Sequence, residues 1–255
     1  MYNGLSYLYL LFWVYMYDRV VLISKLACIK TNMRAITYIL ITLTLISCDF
    51  KSSEYYNEEA QKLEKEGKYK EAIPLLDKAI EKDPQNIYAL INRGVDKSIL
   101  EDYKGAIEDY SKIIEIDSDN ALAYLNRGKN KKRLDDYTGA IEDFEKAIKT
   151  KGGELIYMDK VENSFNDNGF EFDVGMEEIR FERGIARYNI DSVRLAFEDF
   201  KFCLQANYEK PACHYWIGLI YLAYNMNDEA CKAFENSEKL GDPDAKEMIE
   251  KYCNN

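Results

Sequence analysis

The segments YKGAIEDYSKIIEID (residues 103–117) and YTGAIEDFEKAI (residues 137–148) are two copies of one pattern, 34 residues apart. In each copy apolar side chains recur at i, i+3, i+4 and i+7, which is the period of an amphipathic helix. A small residue of the pattern returns along the chain as Ala72, Ala106, Ala140, Ala196 and Ala230. Its spacing is 34 residues, apart from one gap of 56, which equals 34 plus an insertion of 22. A fixed period in this range predicts stacked helical hairpins.

A second set of small residues keeps the same period, one helix earlier in each hairpin: Ala60, Gly94, Gly128, Gly184 and Gly218. We expect Gly94 to face Ala106, and Gly128 to face Ala140, where the two helices of a hairpin cross. A larger side chain at such a crossing is expected to force the helices apart and to cost about 1–3 kcal/mol.

The period divides the chain into five helix-turn-helix repeats, at residues 53–86, 87–120, 121–150, 177–210 and 211–244. Residues 151–176 interrupt the phase as an insertion, and residues 243–253 are interpreted as a capping helix with its acidic side chains outward. Because no single hairpin can bury its apolar face alone, stability must come from stacked neighbours. The sequence therefore predicts an all-α solenoid within residues 49–255.

The motifs INRG (residues 91–94) and LNRG (residues 125–128), together with the two segments quoted first, resemble the tetratricopeptide-repeat (TPR) family. The resemblance covers residues 53–150 and 177–253. It implies paired antiparallel helices that wind into a right-handed superhelix with a concave groove for a protein or peptide partner. At the turns of repeats four and five, Val193 and Asn227 replace an aromatic residue of the earlier repeats. We therefore expect these two hairpins to turn less regularly.

The resemblance also assigns the positions of each first helix that face the groove. The candidate partner-binding residues are Ile91, Asn92, Val95, Leu125, Asn126, Lys129, Lys132, Phe181, Ile185, Tyr188, Tyr215 and Leu219. One subclass of the family grips C-terminal carboxylates, and Asn92 and Asn126 fit one element of that clamp. The other elements are replaced by Asn57, Ile91, Leu122 and Glu182. We therefore predict no clamp of that type.

A run of cations lies on the first helix of repeat three: Lys129, Lys131, Lys132 and Arg133. A groove that is basic there and apolar toward repeat five would suit a peptide that is acidic and then apolar. A solvated charged face explains the same run equally well.

Residues 33–48 read MRAITYILITLTLISC, with Arg34, an apolar run over residues 35–46, and then Ser47-Cys48. A charged start, a short apolar run and a small residue at the end are the parts of a secretory signal. The last four residues resemble the lipobox of bacterial lipoproteins, which implies that Cys48 becomes the lipidated first residue of the mature chain. A plain transmembrane anchor is the alternative, although this run is short for the roughly 20 residues that span a bilayer.

Residues 1–32 contain another apolar run, over residues 5–17, followed by Asp18-Arg19. The simplest interpretation makes Met33 the true start and residues 1–32 an extension that does not belong to the protein. The rival interpretation is a real first membrane segment, which would leave Cys48 an ordinary cysteine. The first predicts a lipoprotein of the bacterial cell envelope, in the outer membrane and facing the periplasm or the surface. The second predicts an anchor in the inner membrane.

The insertion offers two structures, a β-hairpin around Asn168-Gly169 or a flexible loop. Insertions into repeats usually emerge on one face, and that face is often the binding one. We therefore expect the insertion to contribute to partner recognition. Its acidic residues do not have the spacing of a calcium loop, so we predict no metal site there.

Charge argues against nucleic acid as a partner. Asp and Glu number 45 against 34 Lys and Arg, and residues 1–48 contribute four basic and one acidic side chain. Residues 49–255 therefore carry 44 acidic against 30 basic side chains, a net charge of −14. Binding to nucleic acid needs a basic footprint instead.

The sequence also contains no recognisable catalytic set. Its one histidine, His214, occupies a position that is normally core, and neither a nucleophile triad nor a phosphate-binding glycine loop is present. We predict no enzymatic activity, no cofactor and no small-molecule substrate. Cys203 and Cys213 lie on adjacent predicted helices, where a disulfide and two buried free thiols are both open.

The predicted function is that of a non-catalytic scaffold for protein–protein interaction, anchored by lipid in a bacterial envelope. Two alternatives stay open. One is a transmembrane-anchored adaptor of the same fold, and the other is an enzyme or glycan-binding module whose site lies in residues 151–176.

Overall fold

The computed structural model describes residues 51–150 and 174–253, together with Met16 and Arg19. Within these ranges it contains α-helices and no strands. The helices are α1 (Ser53–Lys65), α2 (Tyr69–Lys82), α3 (Ile87–Ile99), α4 (Tyr103–Ile116), α5 (Ala121–Arg133), α6 (Tyr137–Lys149), α7 (Met176–Asn189), α8 (Val193–Gln205), α9 (Lys210–Ala223), α10 (Asn227–Lys239) and α11 (Asp244–Tyr252). The predicted signal, Cys48 and most of the insertion lie outside the described residues. Among the helices that are described, none combines the length and the apolar character needed to cross a membrane.

The helices form five successive hairpins, α1–α2, α3–α4, α5–α6, α7–α8 and α9–α10. The second helix of each hairpin packs on the first helix of the next, and α11 packs on α10. The predicted all-α solenoid of five hairpins with a terminal cap is thereby confirmed. Its core is a row of local clusters, each shared between neighbouring hairpins. This arrangement is what a repeat array requires, since each repeat buries its apolar face only against its neighbours.

Polar side chains set where several helices begin. The side chains of Asn86 and Asn120 accept a hydrogen bond from the amide three residues later, at 3.0 and 2.9 Å. Asp102 and Asp136 do the same in the second helices of these repeats, each at 3.0 Å. Each pair is separated by 34 residues, so the caps repeat with the fold.

The hairpin turns are equally regular in all five repeats, so the prediction of less regular turns in repeats four and five is wrong. Two residues after each first helix ends, the backbone has a positive φ: Gly67 (73°), Glu101 (64°), Asp135 (60°), Asp191 (58°) and Asn225 (56°). The next amide then bonds back to a carbonyl five residues earlier, for example Asp102 to Lys97 (2.8 Å) and Met226 to Tyr221 (2.9 Å). This backbone bond closes the turn, and the aromatic residue that follows is not needed for it.

An aromatic ring of the second helix comes nearest to each of these helical glycines, and the predicted approach to Ala106 and Ala140 stays a prediction. A Cβ added at Gly94 would lie 2.8 Å from Cζ of Tyr110, and one at Gly128 would lie 2.7 Å from Cε1 of Phe144. Gly184 and Gly218 meet Phe200 and Phe234 in the same way. Each ring comes four residues after the alanine that we expected as the neighbour. The glycine therefore makes room for a ring.

Only residues 174–176 of the predicted insertion are described, and they belong to the stack. Val174 is 6% exposed and packs with Ile179 of α7 in the cluster that α5 and α6 also form. The proposed β-hairpin of the insertion falls on residues outside the described part of the chain.

Cysteine pairing differs in part from expectation. Cys203 and Cys213 are buried free thiols, so the bridge considered for them does not form. A disulfide instead joins Cys231 of α10 to Cys253, directly after α11, with a Cα–Cα distance of 5.6 Å. It fastens the terminal cap to the last hairpin.

Candidate functional site: the surface of the first helices

The candidate site is the surface formed by α1, α3, α5, α7 and α9, the first helix of each repeat. Polar side chains link these helices directly. Asn92 Nδ2 donates to Asn57 Oδ1 (3.0 Å), and Ser98 Oγ donates to Asn130 Oδ1 (2.7 Å). The surface is thus built across neighbouring repeats, as the family resemblance implies.

The candidate partner-binding residues divide into two classes by exposure. Ile91 and Leu125 are 2% and 1% exposed, so both lie in the core and offer no surface to a partner. The remaining candidates are half-buried: Asn92, Val95, Asn126, Lys129, Lys132, Phe181, Ile185, Tyr188, Tyr215 and Leu219. Asn92 is already engaged with Asn57.

The part of this surface on α7 and α9 is apolar and aromatic. The rings of Tyr188 and Trp216 meet edge to face with centroids 5.3 Å apart, and Phe181 meets Tyr208 at 5.9 Å. Tyr215 contacts Phe234 on α10. Aromatic contacts of this kind add roughly 0.5–1.5 kcal/mol each beyond area burial. The rings are therefore held in place before any partner binds.

The basic run on α5 is neutralised within the chain. Lys129 pairs with Glu178 and Lys132 with Glu182, both at 2.5 Å, and Lys131 pairs with Asp143 at 2.8 Å. Arg133 alone of the run is exposed. The run is therefore neither a solvated face nor a strongly basic groove, and two of its lysines join repeat three to repeat four.

A repeated ion cluster, which we call the cation triad, was missed by sequence reasoning. In it an arginine of the first helix and a cation four residues later enclose an aspartate of the second helix. The triads are Arg93, Lys97 and Asp109; Arg127, Lys131 and Asp143; and Arg183, Arg187 and Asp199. The aspartates are 1–3% exposed, and the first arginine of each triad binds its aspartate through two nitrogens. Bidentate, hydrogen-bonded pairing is what a buried charge needs.

The triads also reach back to the preceding repeat. Arg93 donates to Asp77 (2.6 Å), Arg127 to Ser111 (3.1 Å) and Arg187 to Glu145 (3.2 Å). These acceptors are themselves 34 residues apart. The signal in the sequence was an arginine followed by a cation at the fourth residue and an aspartate at the sixteenth, and the INRG and LNRG motifs contain its first residue.

Two carboxylates at the junction of repeats one and two lack any such partner. Burial raises the pKa of Glu64 to about 7. Burial, and then the charge of Glu64, raises the pKa of Asp96 to about 7.

The single histidine is half-buried on α9, and burial together with Lys210 lowers the pKa of His214. Within the described ranges no three His, Cys, Asp or Glu side chains are grouped so that they could hold a metal ion.

Comparison with known proteins points to one family. Models of the tetratricopeptide repeat match residues 53–86 and 121–152, and a TPR-repeat model matches residues 99–135. No curated protein matches the sequence significantly.

Several solved structures share the fold. MamA of Desulfovibrio magneticus RS-1 is 15% identical with a TM-score of 0.60, covering 74% of this chain and 94% of its own. PilF of Pseudomonas aeruginosa is 18% identical with a TM-score of 0.57, covering 74% of this chain and 76% of its own. YrrB, described as a TPR protein with an unusual peptide-binding site, is 19% identical with a TM-score of 0.58, covering 77% of this chain and 90% of its own. Together with the three repeats matched by family models, the five stacked hairpins make this chain a tetratricopeptide-repeat protein.

Proposed function

We propose that this protein is a non-catalytic scaffold that binds a peptide or protein segment along the surface of its first helices. The observation that carries this proposal is the half-buried apolar and aromatic surface on α7 and α9, formed by Phe181, Ile185, Tyr188, Tyr215 and Leu219. Aromatic side chains that are positioned by their neighbours and still partly accessible are typical anchors for binding. The fold shared with YrrB supports the same proposal by analogy.

The charges on this surface favour a partner segment with apolar side chains over an acidic one. Lys129, Lys131 and Lys132 are each paired with a carboxylate of this chain. An acidic peptide would have to displace these carboxylates, so little net attraction is left for it. The apolar part on α7 and α9 needs no such exchange.

A matched pair of variants tests the site. Peptides that bind the full chain are first selected from a random displayed library. Their affinities for the variants Leu219→Glu and Leu195→Glu are then compared with their affinity for wild type. Leu219 lies on the proposed surface, whereas Leu195 is an exposed residue (38%) of α8, a second helix. We expect Leu219→Glu to weaken binding at least tenfold and Leu195→Glu to leave it unchanged. Equal affinities for both variants would reject the site.

The proposal places the scaffold in a bacterial envelope, anchored through a lipid on Cys48. The lipobox-like LISC sequence supports this location, and so does the disulfide between Cys231 and Cys253, because disulfides persist in oxidising compartments outside the cytosol. Two acyl chains would anchor the protein stably, whereas one would not.

Labelling with radioactive palmitate separates this location from a transmembrane anchor within residues 5–46. The lipoprotein incorporates label into wild type and loses it in Cys48→Ala. A label-free wild type that stays in the membrane fraction would favour the transmembrane anchor instead.

The insertion is proposed to contribute to partner recognition. Because Val174 packs in the core and α7 begins at Met176, the test deletion is confined to residues 152–173. We expect this deletion to keep the helical content and to weaken binding of the selected peptides. Full retention of binding would remove the insertion from the site.

A further inference from the structure

Equivalent positions at two neighbouring junctions hold different chemistry. The first junction lies between α1 and α3, and the second lies between α3 and α5. At the second, Ser98 Oγ donates to Asn130 Oδ1 at 2.7 Å, and Asn130 in turn donates to the carbonyl of Asn126. Glu64 and Asp96 occupy the same positions at the first junction, 34 residues earlier in each case.

One oxygen of each carboxylate is buried without a hydrogen bond, although Glu64 as a whole is half-buried. Asp96 is 1% exposed. Its Oδ2 atom and the Oε1 atom of Glu64 are shielded from solvent and have no hydrogen-bond partner. A buried, unpaired carboxylate is costly when charged, so the pair favours a state in which a proton is retained.

The charged groups around the pair offer no compensation. On α3 itself, Arg93 and Lys97 are bound to Asp109 of α4, and Arg93 also binds Asp77 of α2. Tyr110 of α4 is the other titratable group that senses Asp96, since burial first and then the charges of Asp109 and Asp96 raise its pKa. The turn between α1 and α2 carries the exposed pair of Lys68 with Glu66. From α5 the facing polar group is the neutral amide of Asn130.

We propose that Glu64 and Asp96 form a proton-dependent latch, which holds the first hairpin on the second while a proton is retained and releases it when that proton leaves. The released proton goes to solvent, and the two charged carboxylates then repel each other across the junction. The same junction carries the bond between Asn57 and Asn92, so release also opens the first end of the candidate binding surface. The latch does not depend on which partner that surface binds.

The raised pKa values determine whether the first junction becomes more or less stable as pH rises. Both carboxyls have a pKa of about 7 in the folded chain, compared with about 4 when unfolded. Between these values the folded state binds more protons, so the stability of the first junction falls as pH rises from about 4 through about 7. Because the two carboxyls interact, their apparent pKa values belong to the pair rather than to either residue alone.

Hydrogen exchange of the full chain between pH 5.5 and 8.5 tests the latch, using protection factors corrected for the intrinsic rate at each pH. We expect protection of α1 and α2 to fall about tenfold or more, the change that one unit of pKa shift produces. Protection of α5 and α6 should stay constant over the same range. Protection of α1 and α2 that does not change with pH would overturn the proposal.

Matched variants are obtained by swapping the side chains of the two junctions. The double variant Glu64→Ser with Asp96→Asn copies the second junction into the first, and we expect it to lose the pH dependence. The reverse pair, Ser98→Glu with Asn130→Asp, should create a pH dependence at the second junction. If the first double variant does not fold, Asp96→Asn alone serves, since its amide can donate to Glu64 at any pH. A pH dependence that survives removal of Asp96 would overturn the latch.

Discussion

Repeats two to four and repeat five share one backbone arrangement but are held together by different side chains. In repeats two to four a buried aspartate is enclosed by two cations. At the same positions repeat five has Ile217, Tyr221 and Ala233, of which Ile217 and Ala233 are buried in an apolar cluster. A disulfide then fastens the cap that follows. Repeat five therefore shows that a hairpin needs these positions to be filled but not to be charged, and the cation triad serves in addition to join one repeat to the one before it.

Removal of a triad aspartate should have the largest effect. Asp143→Ala removes a buried carboxylate and leaves the half-buried Arg127 and Lys131 without it, and we expect this change to lower the free energy of unfolding by about 3–5 kcal/mol. Urea denaturation followed by circular dichroism measures the loss. The control is Asp77→Ala, which removes an ion-pair partner that is 55% exposed. That variant should lose less than about 1 kcal/mol.

Transplanting the three residues of repeat five into repeat three separates the need for filled volume from the need for charge. The triple variant Arg127→Ile, Lys131→Tyr and Asp143→Ala should restore most of the stability that Asp143→Ala loses, because an apolar set of suitable volume often replaces a buried ion cluster without loss. A triple variant as unstable as Asp143→Ala alone would show that the charges themselves are required.

Loss of the disulfide should have the next largest effect on stability. Cys231→Ser with Cys253→Ser removes a link across 22 residues, and we expect a loss of about 2–4 kcal/mol. Hydrogen exchange should confine the loss to α10 and α11, with the triad repeats unaffected. A reductant should produce the same change in wild type and none in the double variant. A loss spread evenly over all helices would contradict this local role.

Filling a glycine position should have a smaller effect. Gly128→Ala places a Cβ 2.7 Å from the ring of Phe144, and the overpacking outweighs the helix propensity that alanine adds. We expect the free energy of unfolding, measured by thermal denaturation, to fall by about 1–2 kcal/mol. Repeat one has Ala60 with Leu76 at these positions. Adding Phe144→Leu should therefore recover much of the loss, and failure to do so would point to backbone strain.

The helix caps should show the smallest effect. Asp136 accepts a hydrogen bond from the amide of Gly139, whereas Met226 at the same position of repeat five provides no side-chain cap. We expect Asp136→Ala to cost about 1 kcal/mol and Met226→Asp to gain up to about that amount. Melting temperatures of both variants measure the difference. If both variants shifted the melting temperature equally and in the same direction, these two positions would not act as helix caps.

The fold was predictable from the sequence because one period governs its small and apolar residues. Ala106 and Ala140 recur at the spacing that stacked hairpins require, and the structure forms those hairpins. The ring beside Gly94 was not predicted, because period alone does not specify which residue of the opposite helix comes nearest. Tyr110, a turn beyond Ala106, fills that space.

The candidate site was less predictable, for a different physical reason. Charged residues such as Arg127, Lys131 and Asp143 look like surface residues in a sequence, and only the packing of two helices shows that they enclose one another. The pairing of Cys231 with Cys253 was beyond reach for a related reason, since the four cysteines that follow Cys48 allow three connectivities. Both depend on contacts between helices.

The joint between repeats three and four has a consequence for how such chains diversify. Lys129 with Glu178, Lys132 with Glu182, and the packed Val174 hold these repeats together from either side of residues 151–173. Because these contacts come from residues on either side of it, the intervening segment can be exchanged without removing them. Selection, or an engineer, can alter that segment's length and composition there, and so change what the array carries without changing how it is assembled.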